Sequence, residues 1–247
     1  MQRIGCRRFG SPDMLALVSE PTPTMGPNEV LIEVEAVGAS FVDGLIVEGK
    51  YQVRPELPFT PGSVLAGHVF DRGPNVDTPS IGARVACLDM DYGCYTSHAV
   101  RPAAAVVSIP AGIDTAVAAS AAENYSALIF AVTKRVVIKP GEHVVVIGAG
   151  GSIGLAAVDV AHTLGARVVA VASTEEKRAG ALAAGADVAT DYHDPKDAIR
   201  SATEGGADVA FDPVGGAATE AALRAVDTGG RLSVLGFAAD EIPRLPR

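Results

Sequence analysis

The chain has 247 residues, with 29 acidic against 20 basic side chains (a formal charge of −9) and 48% apolar residues. A chain of this length can bury a core without disulfide or metal staples, and its acidic balance argues against a nucleic-acid binder, which normally shows a basic face. Glycine (27) and proline (16) follow no period, which excludes collagen-like and low-complexity classes.

The opening MQRIGCRRFG lacks the apolar stretch of a signal peptide. No window reaches about 18 apolar residues, because Asp159, His162 and Arg167 interrupt the richest one. Cys6, Cys87 and Cys94 are odd in number and have no C-x-x-C spacing, so neither a disulfide framework nor a zinc cluster is expected. The expectation is a soluble, reduced, cytoplasmic chain that binds neither membrane nor nucleic acid.

Residues 1–121 carry most of the prolines and short β-prone runs at Val30–Val37, Val64–Phe70, Arg84–Leu88 and Val106–Ile109. Turns such as GPNE, RGPN and PAG separate them, the pattern of an antiparallel β domain. Only Phe41–Val47 reads as a helix. From residue 122 to 247, alanine-rich helical stretches alternate with short apolar runs. Four junctions, LGARVVAVA, AGADVAT, GGADVAF and GGRLSVLG, repeat one device: a glycine closes a helix, a charge follows, and a strand begins. Arg167, Asp187, Asp208 and Arg231 supply that charge. The spacing predicts an α/β fold with a parallel, helix-covered sheet. Its strands are His143–Ile147, Arg167–Val171, Asp187–Thr190, Ala207–Phe211 and Arg231–Leu235. A dinucleotide fold of two complete halves has six strands, so the last is expected to be missing before residue 247.

The first of these strands runs into Gly148-Ala-Gly-Gly-Ser-Ile-Gly154 and then a helix. Glycines there permit a tight turn and close approach of backbone to a diphosphate, and free amides near Ser152 and Ile153 add the positive helix end. The strand before and helix after identify a dinucleotide loop rather than a packing loop. At the end of the second strand, where a carboxylate usually meets a free 2′-hydroxyl, stand Ala172 and Ser173, with Lys177 next on the helix. Hydroxyls and a cation suit a 2′-phosphate, so the expected cofactor is NADPH. A solvated surface role for Lys177 is the competing reading. The five histidines are scattered without metal-ligand spacing, and Ser152 lies in GGSIG rather than GxSxG, so hydrolase chemistry is not indicated.

Several segments together resemble the zinc-independent NADPH:quinone oxidoreductase (zeta-crystallin-like) branch of the medium-chain dehydrogenase/reductases: GASFVDGLIVEGKYQVRPELPFTPGSVLAG, ENYSALIFAV, GEHVVVIGAGGSIG, ASTEEKR, ATDYHDP, FDPVGG and GGRLSVLGFA. The resemblance implies a GroES-like substrate domain followed by a Rossmann-type domain, and hydride transfer to a quinone or activated enone. Ser40 and Ser63 stand where zinc-using relatives carry a cysteine and a histidine, which implies no metal. Tyr51 and Ser40 would hydrogen-bond the acceptor. Gly148, Gly150, Gly151, Ser152, Ile153 and Gly154 would hold the diphosphate. Ser173 and Lys177 would hold the 2′-phosphate, and Tyr192 would lie against the nucleotide. Ser126, Val214, Gly236 and Phe237 complete the cofactor set. Ser40 replaces the branch's usual asparagine, Val64 its usual acid, and Ala127 a threonine. Relatives continue for about another quarter of their length, with a strand that commonly pairs in a homodimer. The rival readings are an NADPH-binding protein without turnover and a 2-enoyl thioester reductase.

Overall fold

The computed structural model describes residues 1–243 and divides into two compact units, Met1–Glu123 and Asn124–Arg247.

In the first unit, β1 (Gln2–Gly5) and β2 (Ala16–Ser19) form an antiparallel ribbon. The main sheet contains β3 (Glu29–Gly38), β4 (Val64–Arg72), β5 (Arg84–Leu88), β6 (His98–Pro102) and β7 (Val106–Ser108). All its pairings are antiparallel, in the order β6-β3-β4-β5-β7. Alternation drives it: Val30, Ile32, Leu65, Val69, Val85 and Cys87 turn to one buried cluster, as period-2 side chains must. Helix α1 (Phe41–Val47) falls on the segment expected to be helical. The sequence reading missed β1, β2 and β6. The last, HAVRP, is short, half-exposed and closed by a proline, all features of an edge strand.

Helix α2 (Thr115–Lys134) starts earlier than residue 122, where helical character was expected. Asp114 explains the difference: its carboxylate accepts from the Ala116 and Val117 amides at 2.8 and 3.3 Å, fixing the helix start inside the first unit.

The second unit continues with β8 (His143–Ile147), α3 (Ser152–Thr163), β9 (Arg167–Val171), α4 (Glu175–Ala183), β10 (Val188–Thr190), α5 (Pro195–Ala202), β11 (Ala207–Asp212), α6 (Gly216–Ala225) and β12 (Val226–Val234). All five strands run parallel, in the order β10-β9-β8-β11-β12. Strand β8 is buried on both faces. Val144 and Val146 share one buried cluster with Ala157 and Ala161 of α3, whereas Val145 and Ile147 share another with Ile199 of α5 and Ala222 of α6. Alanines at these contacts let the helices approach the sheet closely.

Glycine closes α3 at Gly165 (φ +81°) and α4 at Gly185 (φ +111°), as the junction pattern implied. The fourth junction departs from it. Val226 caps α6 in an extended conformation, and β12 begins at once. Gly229 (φ +83°) and Gly230 then sit in a bulge between the Ala207–Val226 and Val209–Arg231 pairings. A Cβ on Gly230 would come within 2.4 Å of the Val226 side chain, so the bulge itself needs glycine.

Candidate functional site

The order of the parallel sheet puts the topological switch between β8 and β11, where chain direction along the sheet reverses. Ligands in such sheets bind at the carboxyl ends of the strands beside that point. There the structure places Gly148 after β8, Ser173 after β9, Tyr192 after β10, Val214 after β11 and Gly236 after β12.

The glycine loop is tightly constrained. Gly148 has φ +65°, and a Cβ there would lie 2.7 Å from the Val214 side chain. A Cβ on Gly154 would come within 2.2 Å of the Gly148 carbonyl oxygen, and one on Gly150 within 2.4 Å of the Lys177 stem. Each glycine is therefore required by a specific neighbour. No side chain caps α3 at Gly151, whereas Ser40, Thr174 and Asp194 cap α1, α4 and α5. Open amides beside Ser152 and Ile153 at the positive end of a helix suit an anionic diphosphate. These residues fit a dinucleotide.

Tyr192 is tied to the loop, because the Gly148 amide donates to its hydroxyl oxygen at 2.9 Å. Burial pushes that phenol above its ordinary range. Asp212 is fully buried and holds the turn that carries Val214: the Val214 and Gly215 amides donate to it at 2.8 and 3.2 Å, as does the Thr219 hydroxyl. The Ala238 amide donates to the Pro213 carbonyl at 3.0 Å, which brings Gly236 and Phe237 alongside the turn. Ser173 and Lys177 are exposed, and Arg178 donates to the Ala172 carbonyl at 3.1 Å. Ser126 is exposed on α2.

Ser40 in the first unit is the N-cap of α1. It forms a reciprocal capping box with Asp43, whose amide donates to Ser40 Oγ at 3.2 Å while the Ser40 amide donates to Asp43 Oδ2 at 2.8 Å. Ser40 Oγ and Tyr95 Oη also donate to that oxygen, at 3.0 and 3.1 Å. Asp43 is only 4% exposed. The Glu123 carboxyl on α2 is pushed up chiefly by burial and then by the Asp43 charge, with Ser40 acting in the opposite direction. Tyr51 is half-buried just past α1, where its amide donates to the Leu45 carbonyl at 3.2 Å. It also influences Tyr92, whose phenol is pushed up first by burial. The S-x-x-D spacing of Ser40 and Asp43 is a capping signal that the sequence reading did not use. Tyr95 and Glu123 are far away in sequence and carried no signal.

Among the described residues, no group of three or more His, Cys, Asp or Glu side chains is placed to hold a metal ion. Ser63 is buried, and Ser40 is engaged as a cap. Cys6, Cys87 and Cys94 are free and buried, and no helix among the described residues is long and apolar enough to cross a membrane.

Residues 26–125 match the family described as alcohol dehydrogenase GroES-like domain, and residues 152–246 the family described as zinc-binding dehydrogenase. The chain is 34% identical over 248 residues to the quinone oxidoreductase-like protein 2 homolog of Nematostella vectensis, covering 98% of this chain and 67% of that protein. It is 30% identical to the human quinone oxidoreductase, covering 96% of this chain and 73% of the relative. Among solved structures it is similar to the Escherichia coli quinone oxidoreductase complexed with NADPH, with a TM-score of 0.89 and 28% identity. That match covers 100% of this chain and 76% of the other. The Thermus thermophilus quinone oxidoreductase gives a TM-score of 0.84 at 34% identity, covering 99% and 76%. The chain thus spans about two thirds to three quarters of the length of these relatives. With both of its units and nearly its whole length matched, the chain belongs to the quinone oxidoreductase branch of the medium-chain dehydrogenase/reductase superfamily.

Proposed function

We propose that this protein is an NADPH-dependent oxidoreductase that reduces a quinone or activated enone without a metal. The observation that carries the reading is the glycine loop at the sheet's switch point, with an uncapped helix start and the Lys177 stem packed across Gly150. A relative of the same fold, the E. coli quinone oxidoreductase, is described in complex with NADPH.

Gly148, Gly150, Gly151 and Gly154 give the backbone room to approach the diphosphate, and the amides of Ser152 and Ile153 would donate to it. Ser173 and Lys177 would meet the 2′-phosphate, the lysine as a point charge. Tyr192, Val214, Gly236 and Phe237 would flank the rest of the cofactor. When bound, NADPH supplies a hydride. The chain's own contribution is orientation, exclusion of water and stabilisation of the charge that grows on the acceptor oxygen. Ser40 and Tyr51 are the hydroxyls offered to that oxygen. An acceptor that is already electrophilic suits a site built of hydroxyls rather than a Lewis acid.

The test is NADPH titration by fluorescence, followed by NADPH oxidation with a small quinone and with a 2-enoyl thioester. Binding with quinone turnover supports the reading. Turnover confined to the thioester reassigns the substrate. Binding without turnover of either leaves a dinucleotide-binding protein, and no binding overturns the reading altogether.

A further inference from the structure

The order β10-β9-β8-β11-β12 governs how a dinucleotide would lie across the sheet of the second unit. On the reductase reading above, the diphosphate sits at the loop after β8 and the 2′-phosphate at Ser173 and Lys177 after β9. The adenosine half then occupies the β9 side. The nicotinamide half crosses the switch to the ends of β11 and β12, where Val214 and Gly236 stand.

The turn after β11 is held by two side chains sealed in the core, Asp212 and Thr219. Asp212 Oδ1 accepts from the Val214 and Gly215 amides at 2.8 and 3.2 Å, and its Oδ2 accepts from the Thr219 hydroxyl of α6. A helical threonine commonly returns its hydroxyl to the carbonyl four residues back. Thr133 and Thr203 do so, donating to the Ile129 and Ile199 carbonyls, whereas Thr219 gives its hydrogen to Asp212. Contacts run from this turn to both neighbouring strand ends. On the β8 side, the Val214 side chain packs so close to Gly148 that a Cβ there would lie 2.7 Å from it. On the β12 side, the Leu235, Ala238 and Ala239 amides donate to the carbonyls of Asp212, Pro213 and Val214 at 2.7, 3.0 and 2.8 Å. Gly215 (φ +85°) leaves no slack, since a Cβ on it would lie 2.6 Å from the Glu241 carbonyl oxygen.

We propose that Asp212 and Thr219 are positioning residues for the nicotinamide half of the cofactor. This rests on the reductase reading. Both act through the turn: the Thr219 hydroxyl orients the carboxylate, the carboxylate fixes the Val214 and Gly215 amides, and the turn sets where Val214, Gly236 and Phe237 stand. The diphosphate loop has a support of its own in the Tyr192 hydroxyl, which accepts from the Gly148 amide. Loosening the turn therefore costs contact with the nicotinamide half and spares the adenosine half.

The experiment titrates the full chain by calorimetry with two ligands, NADPH and 2′-phospho-ADP-ribose, which keeps the diphosphate and the 2′-phosphate but lacks the nicotinamide. The variants are Thr219→Val, which keeps the shape and removes the hydroxyl, Thr219→Ser, which keeps the hydroxyl, and Asp212→Ala. Thr219→Val should weaken NADPH by about tenfold, the worth of one hydrogen bond to a charged group, and leave 2′-phospho-ADP-ribose unchanged. Thr219→Ser should bind both as the wild type does. Asp212→Ala should show the same selective loss, and if it does not fold, the threonine pair decides. A general structural defect would instead weaken both ligands. Equal weakening of the two, wild-type NADPH affinity in Thr219→Val, or failure of Thr219→Ser to restore it overturns the proposal while the reductase reading stands. A wild type that binds neither ligand overturns both.

Discussion

Individual side chains here are set by what they touch. Lys177 is exposed at its end, yet its stem lies where a Cβ on Gly150 would be. Gly150→Val should force the two apart and weaken NADPH and NADH alike, whereas Lys177→Ala should weaken NADPH by about tenfold, the loss of one charged contact, and leave NADH nearly unchanged. Parallel fluorescence titrations separate these outcomes, and equal weakening by Lys177→Ala would remove the 2′-phosphate assignment. Glu123 makes a distinct prediction for stability. Its carboxyl is raised in the folded state, so the folded protein binds the proton more tightly than the unfolded chain. Wild-type stability should therefore fall as pH rises from the ordinary glutamate range through the raised one. Urea midpoints should show that fall in the wild type and not in Glu123→Gln.

Among elements, the parallel sheet depends on ties between strand ends. The Asp187 carboxylate accepts from the Val168 amide at 2.7 Å, and that of Asp208 from the His143 amide at 2.8 Å. The acids that open β10 and β11 thus serve the neighbouring strand. Arg231 of β12 reaches Glu142 at 2.7 Å, in the turn before β8. The guanidinium hydrogen bond holds the Glu142 carboxyl below its ordinary value against the opposing effect of burial. A depressed carboxylate stabilises the fold above its unfolded pKa, and this contribution is lost as pH falls through the folded value. Glu142→Gln should cost about 1–2 kcal/mol at neutral pH, the worth of a charged hydrogen bond. The gap to wild type should close on acidification, as read by urea midpoints. A gap independent of pH would show that the charge is not its source. At the loop, Tyr192→Phe leaves the Gly148 amide without its acceptor and should cost about 1 kcal/mol, with weaker NADPH binding.

For the whole molecule, the dinucleotide residues all lie within the second unit, so the cofactor should stabilise that unit selectively. At 100 times Kd, binding adds about 2.7 kcal/mol, which should raise the melting transition that includes the second unit by roughly 5–10 °C. A scan in which NADPH moves no transition would contradict the loop assignment.

Much of this was legible in the sequence where chemistry is local. Period-2 burial, the glycine loop between strand and helix and the alternation of helix and strand all concern residues within about one turn or one strand of each other. They were enough for the α/β sheet, for α1 and for the dinucleotide loop. The bulge at Gly229–Gly230 was read as a helix end because two glycines signal either, and only the pairing of β12 with β11 distinguishes them. The strands β1, β2 and β6 went unseen because short edge segments bury too little for a pattern. Tertiary structure alone decided that Lys177 crosses Gly150, that Tyr192 holds Gly148, and that Glu123 and Tyr95 converge with Asp43 on the cap of α1. Each of these contacts joins residues that sequence separates widely. Their energies depend on distance and burial, which composition and spacing do not encode.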